Sequence, residues 1–366
     1  MANVEKIKEM IAEEISAARQ TIKTDDYSMS IGELINLYRD NEITLDPAFQ
    51  RLFRWEDDQK TKLIESILIG IPIPEIFVAQ KADGTWHVVD GVQRLSTIFQ
   101  LTGVLRNSEP LMLTLCKYIP SFEGRTWDEL PTSTQREFKK SKIKVNIILT
   151  ENSDEAQYEL FQRLNTGGTE LSAQEVRNCL MLMIKPVFYD KVNELKSYPN
   201  FLECIKPLKS HYLEKEYHME LILRMWIGFD GNTNFNDYEP ISKAVIGDFI
   251  DKETIRLMNT DTMELFEGVF KRTFDKLRPA LAESSFKKFD AQRSDFSGPF
   301  NVSVFEMITS GIASNIDDIE NVGNAELVDT IKQLYAEGEV VLGLDRGVKP
   351  IKRFKDLTAF AKDFFK

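Results

Sequence analysis

The chain has 366 residues, enough for two compact domains, and 42% of them are hydrophobic, enough to bury a sizeable core. Its formal net charge of −12 excludes a uniformly basic nucleic-acid coat and leaves only local basic clusters as nucleic-acid candidates. Three widely separated cysteines, Cys116, Cys179 and Cys204, do not make a disulfide frame. The charged start does not resemble a secretory signal and no segment has the length and apolarity of a membrane span, so a cytoplasmic protein is expected.

Val4, Ile7, Ile11, Ile15 and Ala18 recur at helical spacing, which predicts an amphipathic helix over residues 4–22. Ser30-Ile31-Gly32-Glu33 reads as a capping box opening a helix through Leu34, Ile35 and Tyr38. Ile43-Thr44-Leu45 is a short strand. Phe49-Gln50-Arg51, with Trp55 soon after, wedges two polar side chains among apolar ones, where they either satisfy the core or line a cleft. A helix over 57–69 is stopped by Gly70 and by the prolines of Ile71-Pro72-Ile73-Pro74. Ile76–Ala79 is then a strand, Asp83-Gly84 a hairpin turn and Trp86–Val89 a second strand.

That second strand runs into Asp90-Gly91-Val92-Gln93-Arg94, and a helix follows with Leu95, Ile98, Phe99 and Thr102 on one face. A strand, a glycine turn and a helix start suit a phosphate: glycine admits close backbone approach, and the first helical turn carries unpaired N–H groups at a positive dipole end. Arg94, within the first turn, is placed to fork onto phosphate oxygens. Asp90 is placed either to cap the helix or to hold a magnesium ion beside the phosphates. A capped strand-to-helix turn with no ligand is the structural alternative.

Further on, residues 111–116 read as a strand, Pro131 opens a helix ending near 142, and Val145–Leu149 is a strong strand. Asp154 starts a helix that ends in Arg163-Leu164-Asn165-Thr166-Gly167-Gly168. Ser172 and Glu175 form a capping box for the next helix, which brings Gln174, Arg177 and Asn178 close to the glycine loop. From 180 onward the pattern is helical, with helices at 186–196, 215–229, 240–250, 260–282, 302–313, 324–337 and 354–365, loops at 235–238 and 287–299, and no strand. Leu221, Leu223, Met225, Trp226, Phe266, Phe270, Phe274 and Phe305 are the expected core there. The fold class is therefore α+β, a mixed-sheet domain over 1–185 followed by an α-helical domain over 186–366. Candidates for a local basic groove are Lys139, Lys140, Lys142 and Lys144, and the tail cluster Arg346, Lys349, Lys352, Arg353 and Lys355; solvated faces are the plainer reading of each.

Several chemistries lack their residues. There is no Walker loop, no Gly-x-Ser-x-Gly elbow and no zinc pattern around the three histidines, His87, His211 and His218.

Phe49-Gln50-Arg51 with Trp55, the Ile71–Pro74 run, Asp90–Arg94, Arg163–Gly168 and Gln174–Asn178, in this order, resemble the N-terminal domain of the GmrSD-type modification-dependent restriction endonucleases, placed in the ParB/sulfiredoxin-like superfamily. The resemblance covers roughly residues 25–185. It implies a small mixed sheet with a nucleoside triphosphate at the Asp-Gly-x-Gln-Arg turn, with magnesium. Asp90, Gly91, Gln93 and Arg94 would form the phosphate site, Asp90 the metal contact, and Asp90 with Arg94 the catalytic pair. Gln50 and Arg51 would flank it, with Arg163, Asn165, Gly167 and Gly168 on a neighbouring loop. Val92 departs from the second glutamine common in relatives, and the nuclease domain that often follows is not recognisable. The implied function is an NTP-binding and NTP-hydrolysing component of a restriction or phage-defence system, acting with DNA or a separately encoded nuclease. The alternatives are a non-catalytic nucleotide- or DNA-binding switch and a metal-dependent nuclease using the same cleft. Arg51, Arg94, Arg163 and Arg177 are expected to converge on a positive cleft, and Arg94 to be exposed.

Overall fold

The computed structural model describes residues 7–8, 10–15, 24–45, 55–81, 83–149, 172–241, 244–342 and 349–366. The chain divides into two compact units, Met1–Glu170 and Leu171–Lys366. The division falls ahead of the helix that carries Gln174, Arg177 and Asn178, whereas the sequence pattern places the boundary after it.

The first unit is a mixed sheet with helices. Its described elements are β1 (Thr24–Ser30), α1 (Ile31–Arg39), β2 (Ile43–Thr44), α2 (Asp57–Leu68), β3 (Ile76–Gln80), β4 (Trp86–Asp90), α3 (Val92–Leu101), α4 (Thr132–Lys140) and β5 (Lys142–Ile148). The strand order is β1-β5-β3-β4-β2. β1 and β5 are antiparallel, as are β3 and β4, while β5 with β3 and β2 with β4 are parallel. Ser30 caps α1 by accepting a hydrogen bond from the Glu33 amide at 3.2 Å. Val78, Val88 and Val145 from neighbouring strands are buried with Leu95, Ile98 and Phe99 of α3, and Tyr38 of α1 stacks on Phe99 with ring centroids 4.4 Å apart. The predicted helices and strands at 31–39, 43–45, 57–69, 76–79, 86–89 and 145–149 are all present. Residues 7–8 and 10–15 are helical, and their side chains are exposed.

Two features depart from the sequence pattern. β1 is a polar segment with no apolar alternation, and it is a strand because it pairs along its length with β5, from Thr24 opposite Ile148 to Ser30 opposite Lys142. Residues 111–116, predicted as a strand, are irregular. The Leu113 amide goes to the Arg125 carbonyl at 3.0 Å, and the next three donors go to side chains instead of a neighbouring strand: Thr114 N–H to the Thr61 hydroxyl at 3.1 Å, and the Leu115 and Cys116 amides to the Glu123 carboxylate at 3.2 and 3.0 Å. The next three amides, of Lys117, Tyr118 and Ile119, converge on the buried carboxylate of Glu65 at 3.2, 2.7 and 2.7 Å. A buried carboxylate is tolerated because its lone pairs are filled.

The second unit is helical. It contains α5 (Ala173–Ile184), α6 (Pro186–Leu195), α7 (Pro199–Cys204), α8 (Ser210–Glu214), α9 (Tyr217–Asp230), α10 (Ile246–Met258), α11 (Met263–Leu281), α12 (Val302–Ser314), α13 (Ile316–Ile319), α14 (Asn324–Leu342) and α15 (Pro350–Phe364). All eight expected core residues are buried. Phe188, Trp226 and Phe266 stack in sequence with centroid separations of 4.9 and 4.4 Å. Gly228 of α9 has no room for a Cβ against Ser310 of α12, so glycine sets that helix separation. The expectation of no strand here is corrected: β6 (Lys288–Asp290) and β7 (Asp295–Ser297) form a small antiparallel hairpin. Phe289 and Phe296 pair across it and lie near Tyr335, whose hydroxyl donates to the Lys287 carbonyl at 2.7 Å. That anchoring orders a segment whose composition reads as loop.

Candidate functional site

The Asp90–Arg94 turn sits where β4 leaves the sheet. Asp90, the last residue of β4, stands opposite Phe77 on β3. Gly91 is the N-cap of α3 with φ 93°, a left-handed conformation that favours glycine, and offers the first-turn amides no side chain. A Cβ at Gly91 would meet the Ile76 side chain at 2.9 Å and the Arg94 guanidinium at 3.3 Å, so the arginine lies close over the turn.

Arg94 is not exposed, which corrects the sequence expectation. It is 8% exposed overall, and its guanidinium donates to the Asp90 carboxylate at 2.5 Å. The carboxylate partner remains 40% exposed. The pair is i,i+4 across the first helical turn, and the solvent-facing side is the acid. Gln93 faces elsewhere: its side-chain oxygen accepts the Trp55 amide at 3.1 Å, which joins two of the segments singled out in the sequence. Gln50, Arg51, Arg163, Asn165, Gly167 and Gly168 lie outside the described residues, as do Phe49 and Arg346.

Donor chemistry at this turn fits a phosphate: one guanidinium and the uncapped amides of a ten-residue helix. For a metal the fit is narrower. Among the described residues no group of three or more His, Cys, Asp or Glu is placed to hold an ion. Asp90 is a single carboxylate, which suits a magnesium ion carried in by nucleotide phosphates rather than a cage built by protein alone.

The second arginine cluster has a different role from the one its sequence suggests. Ser172 and Glu175 form the predicted capping box, with both reciprocal bonds present. Arg177, however, is buried in the helical unit at 1% exposure, where it meets Glu220 of α9 at 2.8 Å, Gln174 at 2.7 Å and, in a very short contact, Asp251 of α10. Glu220 also receives Arg224 at 2.7 Å, and Arg224 reaches Glu306 of α12 at 2.5 Å. Burial opposes charge on Glu220, but the Arg224 and Arg177 guanidiniums overcome it and hold this carboxyl below its usual range. At Glu306 burial wins, and the carboxyl is pushed up. Arg177 is thus bound to its own unit's carboxylates and is not a free phosphate-binding cation, a correction to the expected convergence of four arginines.

Of the basic clusters, Lys144 is neutralised by Asp26 and Glu75 at 3.6 and 3.3 Å, and Lys139 lies over Trp127 at 5.6 Å. Lys352 pairs with Asp356 at 2.6 Å. No helix among the described residues is long and apolar enough to cross a membrane. Glu65 was legible only as an acid one turn from Thr61 on a helix face otherwise lined by Ile64 and Leu68.

Residues 31–182 match the family model described as GmrSD restriction endonuclease, N-terminal domain. No curated protein matches the chain. The match spans α1, the Asp90–Arg94 turn and all but the end of α5, and points to a component of a restriction or phage-defence system. Residues 31–182 of this chain belong to the family of GmrSD restriction endonuclease N-terminal domains.

Proposed function

We propose that the chain is the nucleotide-binding, and NTP-hydrolysing, component of that system, with a ParB/sulfiredoxin-like sheet holding a nucleoside triphosphate and magnesium at the Asp90–Arg94 turn. The observation that carries this reading is the left-handed Gly91 at the start of α3 with the Arg94 guanidinium folded over it. Arriving phosphate oxygens draw Arg94 away from Asp90, and the released carboxylate faces the triphosphate, where it can meet the nucleotide's magnesium or orient a water. Phosphoryl transfer needs positioning and charge stabilisation more than covalent chemistry, which suits so sparse a set of side chains. Gln93, by holding Trp55, orders the segment next to Gln50 and Arg51. Those two residues, with Arg163, Asn165, Gly167 and Gly168, complete the site in this proposal. A separately encoded nuclease acts on the nucleotide-dependent signal, with DNA as the trigger.

The test is a thermal-shift titration with a panel of NTPs and magnesium, followed by phosphate-release assays with and without modified DNA. A nucleotide-dependent rise in melting temperature, absent in Arg94→Ala, is expected. No shift with any nucleotide overturns the reading. The burial of Arg94 and its 2.5 Å contact with Asp90 favour one second reading, a purely structural latch for the turn. Under that reading Arg94→Ala lowers the melting temperature while neither protein responds to nucleotide.

A further inference from the structure

Two apolar faces of the first unit are left uncovered. One is the N-terminal helical stretch, where Ile7, Met10, Ile11 and Ile15 are each about half exposed. The other is the rim where the 111–119 loop runs beside α2, with Met112, Leu115, Tyr118 and Ile69 exposed; Leu115 reaches 72%. That loop is not loose. Thr61, Glu65 and Glu123 take the amides of residues 114–119, and Leu115 is held at φ 55°, a conformation leucine rarely adopts. A rigid loop that holds a leucine in a left-handed conformation with its side chain toward solvent has the character of a docking surface.

We propose that each face covers the other between two copies of this chain, the N-terminal helix of one protomer lying on the 112–118 rim of its partner. Two observations support a second copy as occupant. The two faces occur on the same chain, so a two-fold pair satisfies both at once. The area is sufficient, since eight half-exposed large apolar side chains per contact, in two contacts, hide on the order of 1,200 Å², the lower end of a specific interface.

The test is the solution mass of the full chain by light scattering or sedimentation. A dimer at tens of micromolar is expected, reduced to monomer by Ile11→Asp and by Leu115→Asp. Both positions are exposed, and aspartate tolerates the left-handed conformation at 115 better than leucine does; circular dichroism checks that each variant is folded. Mixing the two variants is the sharper measurement. One retains an intact rim and the other an intact helix, so the mixture regains one of two contacts and partially re-forms dimer. A wild-type monomer, a dimer unaffected by either substitution, or a mixture that stays monomeric overturns the proposal.

Discussion

Arginine meets carboxylate in both units, with opposite consequences. At the turn in the sheet unit, Asp90 at the end of β4 and Arg94 in the first turn of α3 are neighbours along the chain, and the acid is 40% exposed. In the helical unit, Arg177 ties α5 to α9 and α10, and Arg224 ties α9 to α12, with every partner at 9% side-chain exposure or less. The first pair can open at small cost because water receives Asp90 when Arg94 leaves. The second cannot, because opening it strands buried charge on several helices at once. Identical functional groups therefore form an openable pair in one place and a clamp in the other, and exposure of the acid separates them.

The largest test of this contrast is Arg177→Ala. It leaves Asp251 and Glu220 with one guanidinium fewer and is expected to lower unfolding free energy by about 3–5 kcal/mol, read by urea denaturation. Nucleotide affinity of the still-folded variant should equal wild type; a tenfold loss there would return Arg177 to the site and break the comparison. Glu65→Ala comes next. Three amides lose a buried acceptor, with an expected cost of about 3 kcal/mol and faster amide exchange at 117–119. An unchanged melting temperature would show that water replaces the carboxylate freely.

Arg94→Ala sits between the two regimes. Its folding cost should be about 1 kcal/mol, since the exposed Asp90 is readily solvated, while nucleotide affinity falls roughly ten- to a hundredfold with the loss of a charge-assisted contact. A large folding cost without an affinity change would place this pair with the clamps. The last effect is a pH dependence, confined to acid solution. Burial, and then Lys196, depress the His218 pKa from 6.5 to about 4. The unfolded chain thus takes up the proton first, and stability falls as pH drops from about 6.5 toward 4. The Glu216 carboxylate, 3.7 Å from Nε2, favours the charged form and reduces the loss. Comparing wild type with His218→Gln isolates it: the difference in stability between them should change across that window and be flat above pH 7.

Much of this is written in local sequence, and the exceptions have one cause. The Gly91 turn, the Ser30 and Ser172 caps, α2 with its Gly70 stop and the aromatic core all depend on nearest neighbours or on helical period, and all were legible. What was not legible depends on distant partners. β1 is a strand only because β5 lies beside it; residues 111–116 are not a strand because the distant Thr61 hydroxyl and the Glu123 carboxylate take the amides of Thr114, Leu115 and Cys116. Arg177 resembles a phosphate ligand until Glu220 and Asp251 are brought to it from two other helices. Even at the turn, sequence located Asp90 and Arg94 without revealing that they hold each other.

The polar β1 has a consequence for the behaviour of the chain at high concentration. It is an outer strand of the sheet, and an outer strand offers its free backbone edge to any extended peptide that drifts past. Here that border carries Asp25 and Asp26 in succession, both exposed, with Tyr27 beyond them. Two adjacent carboxylates repel a like-charged copy approaching in register and make sheet-to-sheet stacking unfavourable. The segment that no hydrophobic pattern announces thus acts as a guard rail, keeping a protein with so much aromatic core from polymerising through its margin.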